Sequence, residues 1–475
     1  MRTFLRRLIA TVLVLFLGIL LFHGVEDWRG QRAWKAYLQE QEAHGAVFNL
    51  ARMAPPPVPD AENFAAVPLI ADAVAGKGWK GWPTPDVVQD VLSSSDLAGQ
   101  WKQGRPADLQ GIKNAWKVQD LEAALKPYDA VLDGLAEAAK RPRSRFLVDY
   151  QNPTDIPALV NFRAVCRVLR LRALVRLQSG QTDLAFEDVM TGLRVIQHLQ
   201  REPYLISQLL RIAYVNLMLQ PIWEGVQDHR WNDAQLATLE QAIGQIDLIG
   251  SWKHSLQCER LFTVWSVNEL QRQSFGAWFN TPLPPLFQQN GRLARILQRI
   301  IFPKGWAYQN CIARDQAMLA VGLDPMDPSK HRIHPEMVRQ AIANLSKSQR
   351  NPYSYIGVGD IRALIAQTPR VAQAQVGLDE ARIAAGLERF HLAKGHYPER
   401  LDQLAPMFLP NPPMDLVTGE PYHYRLQAGG SYLLYSVGWD QKDDGGTPSS
   451  FQNGPQGPGT AKGDWLWSSS SLIHQ

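Results

Sequence analysis

Residues Ala384 to Gly446 read AAGLERFHLAKGHYPERLDQLAPMFLPNPPMDLVTGEPYHYRLQAGGSYLLYSVGWDQKDDGG, and this stretch decides the fold of the C-terminal end. Val376, Ile383, Leu387 and Phe390 succeed one another at seven, four and three residues, which sets them on one stripe of a helix. Gly395 and Pro398 supply the stop, because glycine accepts a left-handed cap and proline resists continuation. Leu401, Leu404 and Phe408 follow as core candidates before Pro410, Pro412 and Pro413. Tyr422, Tyr424 and Leu426 alternate as strand residues do, Gly429 and Gly430 suit a tight turn, and Ser431 to Val437 returns as a second strand. The unit predicted is a helix laid across a small antiparallel sheet. It ends in an acidic glycine loop carrying Asp440, Asp443 and Asp444. Calcium takes about six to eight hard oxygens, and clustered aspartates with free carbonyls on a glycine loop offer that chemistry. The plain alternative is a solvated acidic turn.

The same residues resemble the soluble domain of a type II secretion major pseudopilin. Leu387, Glu388, Gly395, Tyr397 and Pro398 match its helix pattern, with Phe390 in place of a tyrosine and Arg382 in place of an alanine. Asp415, Gly419, Pro421, Tyr422 and Tyr424 fit its proline-rich segment, at the cost of one extra residue. Tyr432, Leu434, Tyr435, Ser436, Gly438 and Asp440 fit its last strand and loop, where Gln441 replaces a glycine. The resemblance implies a small α+β module over residues 371–446 and a calcium loop with Asp440, Asp443 and Asp444 as ligands. The chain lacks the processed G-F-T-L-x-E start of such pilins. A borrowed module on a differently anchored protein is therefore expected, not a filament subunit.

At the other end, Arg2, Arg6 and Arg7 precede the apolar run Leu8 to Phe22, which His23 to Val25 extend before Glu26 and Asp27. At about 1.5 Å per residue, residues 8–25 span roughly 27 Å, enough to cross a bilayer with snorkelling arginines. Phe22, His23 and Gly24 offer no small-residue cleavage pattern, which favours an uncleaved signal anchor over a signal peptide. The arginines keep residues 1–7 cytoplasmic and send the rest outward. For a bacterial chain this is a single-pass inner-membrane protein with its bulk in the periplasm. Residues 26–59 read as a helical stalk closed by a linker at Pro55, Pro56, Pro57 and Pro59.

Between these ends the reading is mainly helical. Residues 60–152 mix short helical patches with loops; Trp79, Trp82, Trp101 and Trp116 fall there, and packing is favoured over sugar stacking. From Ile156 to Gln178 apolar residues recur at helical spacing, Gly180 breaks the run, and a second amphipathic helix begins at Asp183. The words Ala173 to Ile196, ALVRLQSGQTDLAFEDVMTGLRVI, resemble half of a tetratricopeptide unit, with Ala185 where helices approach closely. Asn232 and Gln235 fit an N-cap with its glutamine three residues on. An all-helical, tetratricopeptide-like body is expected over residues 153–370, and residues 447–475, rich in Gly, Ser and Pro, are expected to be disordered.

With 475 residues, 20% charged side chains and a formal net charge of +4, the chain is long enough for two or three domains and too near neutral to suggest nucleic acid. Arg292, Arg295 and Arg299 in Gly291 to Ile301 read as a solvated basic face rather than a lipid-docking one. Cys166, Cys258 and Cys311 are too far apart for a knuckle or redox motif. No P-loop, G-x-S-x-G or H-E-x-x-H motif occurs, and Gly357-Val358-Gly359 lacks the third glycine of a nucleotide fingerprint. His331, His334 and Glu336 suggest metal ligands by spacing, but Pro335 pushes His334 out of helical geometry. Glu259, beside Arg260 in an apolar stretch, is the one weak catalytic candidate, as a general acid on envelope glycans. The sequence thus points to a non-enzymatic, membrane-anchored envelope scaffold with protein partners and a calcium-stabilised C-terminal module linked to secretion. A glycan hydrolase using Glu259 is the alternative.

Overall fold

A computed structural model describes residues 2–49, 52–83, 88, 117–152, 155–272, 303–348, 351, 353–354, 357, 361, 367–448 and 462–468. Its longer helices are α1 (Arg2–Ala43), α2 (Val118–Leu125), α3 (Asp129–Ala139), α4 (Phe162–Gln178), α5 (Thr182–His198), α6 (Leu205–Gln227), α7 (Asp233–Gly244), α8 (Leu248–Arg272), α9 (Lys304–Met318), α10 (Pro335–Ser348) and α11 (Thr368–Lys394). The strands are β1 (Met326–Asp327), β2 (Arg332–Ile333), β3 (His423–Leu426), β4 (Tyr432–Ser436) and β5 (Trp465–Ser468). The molecule is mainly helical, with a small sheet and an apolar N-terminal helix. Two compact units form: Met1–Arg52 with Leu256–Pro325 and Glu336–Ile365, and Met53–Ser255 with Met326–Pro335 and Ala366–Gln475.

In the first unit the expected anchor and stalk are one continuous helix, α1, of 42 residues. Its character changes at Glu26. Leu8 to Phe22 is exposed throughout, whereas Glu26, Gly30, Trp34 and Tyr37 are buried on one helical stripe. The second half is therefore packed, not a free stalk. Trp34 and Tyr37 join Val267 and Tyr308 in a core edged by Leu38, Val264, Cys311 and Ile312. Gly30 and Gly305 permit this contact: a Cβ on Gly305 would lie 1.9 Å from the Glu26 carbonyl oxygen, and one on Gly30 2.4 Å from that of Gly305. Asp27 Oδ1 then accepts the Gly305 N–H at 2.6 Å, satisfying one of the free donors at the start of α9.

The second unit centres on α4, α5 and α6, joined by packing of α7 on α11 and of α11 on α6. Gly180 is the left-handed cap between α4 and α5, with φ +74°. Ala185 is fully buried, as its close-approach reading required. Asn232 and Gln235 make the expected reciprocal cap, Gln235 N–H to Asn232 Oδ1 at 2.9 Å and Asn232 N–H to Gln235 Oε1 at 3.0 Å. Helix α6 is apolar enough to cross a membrane by composition, yet it is a core helix, with 61% of its most apolar window buried. Within residues 60–152, Leu121, Leu132 and Leu135 are buried, and Trp79 packs edge-on against Phe162 with ring centroids 5.1 Å apart. Trp82 packs similarly on Tyr128, while Trp101 and Trp116 lie outside the described residues.

Three boundaries differ from the sequence reading. Residues 153–370 are not one body, because 256–325 and 336–365 group with α1. Residues 371–446 are not a separate domain either: α11 buries Val376, Ile383 and Leu387, but also Ala372, Ala374, Leu378, Ala381 and Ala385 around its other sides. Arg382 and Arg389 tie it further to α7, through Glu240 and Asp233. The C-terminal tail, expected to be disordered, supplies a strand. β5 pairs antiparallel with β4, Leu434 opposite Trp467, so the sheet order is β3-β4-β5. The hairpin itself forms as expected, with Tyr424 opposite Leu434 and Gly429 and Gly430 at positive φ.

Gly225 offers a test of this packing. A Cβ there would lie 2.1 Å from the buried Trp231 ring. Gly225→Ala is expected to lower unfolding stability by about 2 kcal/mol, because a rigid indole has little room to shift. Chemical denaturation followed by Trp fluorescence measures it.

Candidate functional site

The acidic loop lies between β4 and β5. Asp443 Oδ1 accepts Tyr435 O–H at 2.9 Å and the Gly445 N–H at 2.9 Å, while His423 Nδ1 lies 3.5 Å from Asp443 Oδ2. These donors, led by the Gly445 N–H, hold the Asp443 carboxyl below the usual carboxylate range. Asp440 accepts a weak bond from the Lys442 N–H at 3.3 Å. The carboxylates of Asp440, Asp443 and Asp444 do not converge: among the described residues one group of three or more His, Cys, Asp or Glu draws its ligand atoms within 4.8 Å, and it lies elsewhere. The residue that shapes the loop is Asp464, which sequence reasoning placed in the tail. It is buried, and its two oxygens accept the Gly446 N–H at 2.7 Å and the Asp444 N–H at 3.3 Å. Burial raises its pKa against those two bonds.

Glu259 and Arg260 diverge, as neighbours on a helix do. Arg260 grips the buried Asp315 through Nε and Nη2, and Tyr37 O–H donates to the same carboxylate at 2.6 Å. Burial, reinforced by Asp315, pushes the Tyr37 hydroxyl up, so it stays a donor. Glu259 pairs with Arg314 at 2.7 Å. A carboxylate held this way is a structural ion pair. Cys166 and Cys258 are buried thiols, and Cys311 is half-buried. Burial pushes the Cys166 thiol up, which suits an inert core residue. Gly291 to Ile301, with its three arginines, lies outside the described residues, as do Val358 and Gly359.

A cleft of about 710 Å³ opens in the second unit between the Pro56–Pro57 segment, the residues after α3 and the end of α5. Lys140, Arg141, Arg143, Arg194 and Arg201 line it together with His198, and no acidic side chain is among its described lining residues. Arg141 Nη1 is fixed by the carbonyls of Asp60 and Asn63 at 2.6 and 2.9 Å. His198 stacks flat on Phe64, with centroids 4.3 Å apart, and burial lowers its pKa despite a bond to the Ala139 carbonyl. Lys140, Arg143 and Arg194 are paired with Glu137, Glu62 and Glu187, so the positive charge that arginine and lysine bring to the cleft is partly offset.

Comparison with family models, curated proteins and solved structures returns no match. The residues themselves carry the functional argument.

Along α11 the structure also buries polar groups that the apolar stripe did not announce: Asp379, Glu380 and Glu388 are each 3% exposed or less. Asp379 is saturated. Its Oδ2 accepts from His331 Nε2 at 2.7 Å and from Tyr422 O–H at 3.1 Å, and its Oδ1 from Gln375 Nε2 at 3.2 Å. His331 reaches it from a left-handed corner, φ +50°, between the turn Pro328–Lys330 and β2. His334 and Glu336 do not share this partner; Glu336 pairs with Arg339 on its own helix.

Burial opposes charge on His331, but the hydrogen bond and negative charge of Asp379 outweigh it and raise the histidine pKa. The pair thus stabilises fully below the ordinary histidine value of about 6.5 and loses that contribution as pH rises through the raised folded value. A melting-temperature profile against pH checks this. His331→Asn, which tolerates the left-handed corner, is expected to flatten the fall on the alkaline side of about pH 6.5.

Proposed function

We propose that this chain is a non-enzymatic scaffold anchored in the bacterial inner membrane by α1, with its bulk periplasmic, that binds acidic segments of envelope partners. One observation carries the reading: α1 is bare from Leu8 to Phe22 and packed from Glu26 onward. An uncovered run of this length is unstable in water and stable in hydrocarbon. Arg6 and Arg7 mark the cytoplasmic end by their charge. The partner class comes from the cleft, whose five basic side chains outnumber the three glutamates paired with them, a surplus that suits carboxylate-rich peptide. The tetratricopeptide-like hairpins at α4 and α5 and the pseudopilin-like sequence of α11 to β4 belong to the same reading as a framework for that surface, with a link to secretion. Nothing at Glu259 favours the hydrolase alternative, given its ion pair with Arg314.

The full chain should remain in the membrane pellet after an alkaline wash, whereas a chain lacking residues 2–25 should be released. In detergent, it should bind a fluorescent polyglutamate peptide in a salt-sensitive manner, and Arg143→Glu with Arg201→Glu should weaken that binding about tenfold or more. Release of the wild-type chain by the wash, or equal peptide binding by the double variant, contradicts the reading.

Calcium at the acidic loop is the narrower proposal. Its support is the density of hard oxygens at Asp440, Asp443 and Asp444; its demand is that these carboxylates swing together, since they do not converge here. Calcium is expected to raise the melting temperature of the full chain, and Asp443→Ala with Asp444→Ala to abolish the rise. Equal melting with and without calcium retires the metal and leaves the scaffold reading standing.

A further inference from the structure

The polar group at the C-terminal end of α11 is built differently from the Asp379 cluster. Glu388 and His391 stand three residues apart on one face of the helix, and His229 approaches from the end of α6. One ligand atom from each of the three lies within 4.8 Å of the others. His229 Nδ1 is 2.7 Å from Glu388 Oε1, and Tyr397 O–H donates to Glu388 Oε2 at 2.9 Å. The His391 ring lies between His229 and Tyr397, with centroids 5.2 and 4.7 Å away and nearly parallel planes.

Three features point to a ligand. His391 Nδ1 is buried and has no hydrogen-bond partner among the described residues. Helix α6 ends in a motif that normally takes glycine: the Arg230 N–H bonds the Gly225 carbonyl at 2.8 Å, the His229 N–H bonds that of Val226 at 3.2 Å, and His229 itself sits at φ +51°. The matching turn after α4 uses Gly180, with the Gln181 N–H on the Arg176 carbonyl and the Gly180 N–H on that of Leu177. A histidine kept where glycine fits best is a strained choice that turns an imidazole toward Glu388. Finally, Glu388 is fully buried while the His229 side chain is 50% exposed, so the group has a closed floor and an open mouth.

We propose that His229, Glu388 and His391 form a binding site for a divalent transition metal of the zinc class. Two imidazoles and one carboxylate are the donor set of three-ligand sites that leave a position for water or a substrate oxygen. Glu388 binds through Oε1, because Tyr397 occupies Oε2 and orients the carboxylate. Ligand atoms on a tetrahedral ion lie roughly 3.3 Å apart, so metal entry replaces the direct His229–Glu388 hydrogen bond and spreads the two groups by about half an ångström.

Untagged full-length protein in detergent, stripped with a chelator, is titrated with zinc by calorimetry and with cobalt(II) by visible absorption. One equivalent of zinc and the strong visible bands of low-symmetry, four- or five-coordinate cobalt are expected. His391→Phe keeps the ring stack and removes the nitrogen; His229→Gly suits the left-handed backbone and removes the other imidazole. Each should weaken zinc binding about tenfold or more, and Tyr397→Phe should do so more mildly. Melting curves without metal confirm that each variant is folded. Failure of the wild-type chain to bind zinc, or binding by either folded ligand variant within about tenfold of wild type, overturns the proposal.

Discussion

Helix α11 is buried on nearly every side, and the architecture of the second unit follows from that constraint. A helix with one apolar stripe needs one partner surface; α11 needs α6 and α7 on one side and the sheet on the other. Its buried polar residues cannot turn to water, and several meet partners supplied by distant segments. Asp379 collects His331 and Tyr422, Arg382 meets Glu240, and Glu388 collects His229 and Tyr397. These contacts pin the turn before β2, the end of α6 and the sheet to one helix. Glu388 shows the cost most directly: its two oxygens each have one of these partners, so removing His229 or Tyr397 takes a bond from a buried carboxylate oxygen.

In the first unit the corresponding constraint is backbone proximity. Gly30 and Gly305 bring α1 and α9 close enough for Asp27 to cap α9 directly. The Tyr37–Asp315–Arg260 network sits farther along the same helix. A buried carboxylate with a bidentate guanidinium and a phenol is nearly saturated, so it specifies one arrangement of these helices. The packed half of α1 is thereby a fixed continuation of its apolar half.

What the sequence made legible was local. The left-handed stop at Gly395, the Asn232–Gln235 cap and the Gly429–Gly430 turn depend on neighbours within a few residues, and they form as read; β3 does not alternate in burial, since it runs from half-buried His423 and Tyr424 to exposed Arg425 and Leu426. The domain boundaries depended on which distant surfaces meet, and periodicity does not encode that. The stripe Val376, Ile383, Leu387 was correct but incomplete, because alanines on the other faces read as neutral helix formers rather than as close contacts. β5 was missed because a glycine- and proline-rich stretch before it dominated the composition, although Trp465, Leu466 and Trp467 are strand-forming residues. The Glu388-x-x-His391 spacing was visible and signals two ligands on one helical turn; His229, 159 positions earlier than Glu388, was beyond any spacing argument.

The acidic loop shows how such a missed segment changes the chemistry. Without β5, Asp440, Asp443 and Asp444 look like a crowded anionic turn that needs a cation to hold it. With β5, a fourth carboxylate, Asp464, arrives and adds negative charge, yet it holds the loop by accepting its inward N–H groups. Gly438 makes room for that crossing, since a Cβ on it would lie 2.5 Å from the Gly463 carbonyl oxygen. Arg425 and His423 then offset part of the charge from β3, the former bonding the Gly445 carbonyl at 3.1 Å. The N–H side of the loop is occupied by protein, which leaves hard oxygens as the part still facing solvent. The shape of the loop is thus set from both sides, by Asp464 from β5 and by Asp443 through Tyr435 and the Gly445 N–H.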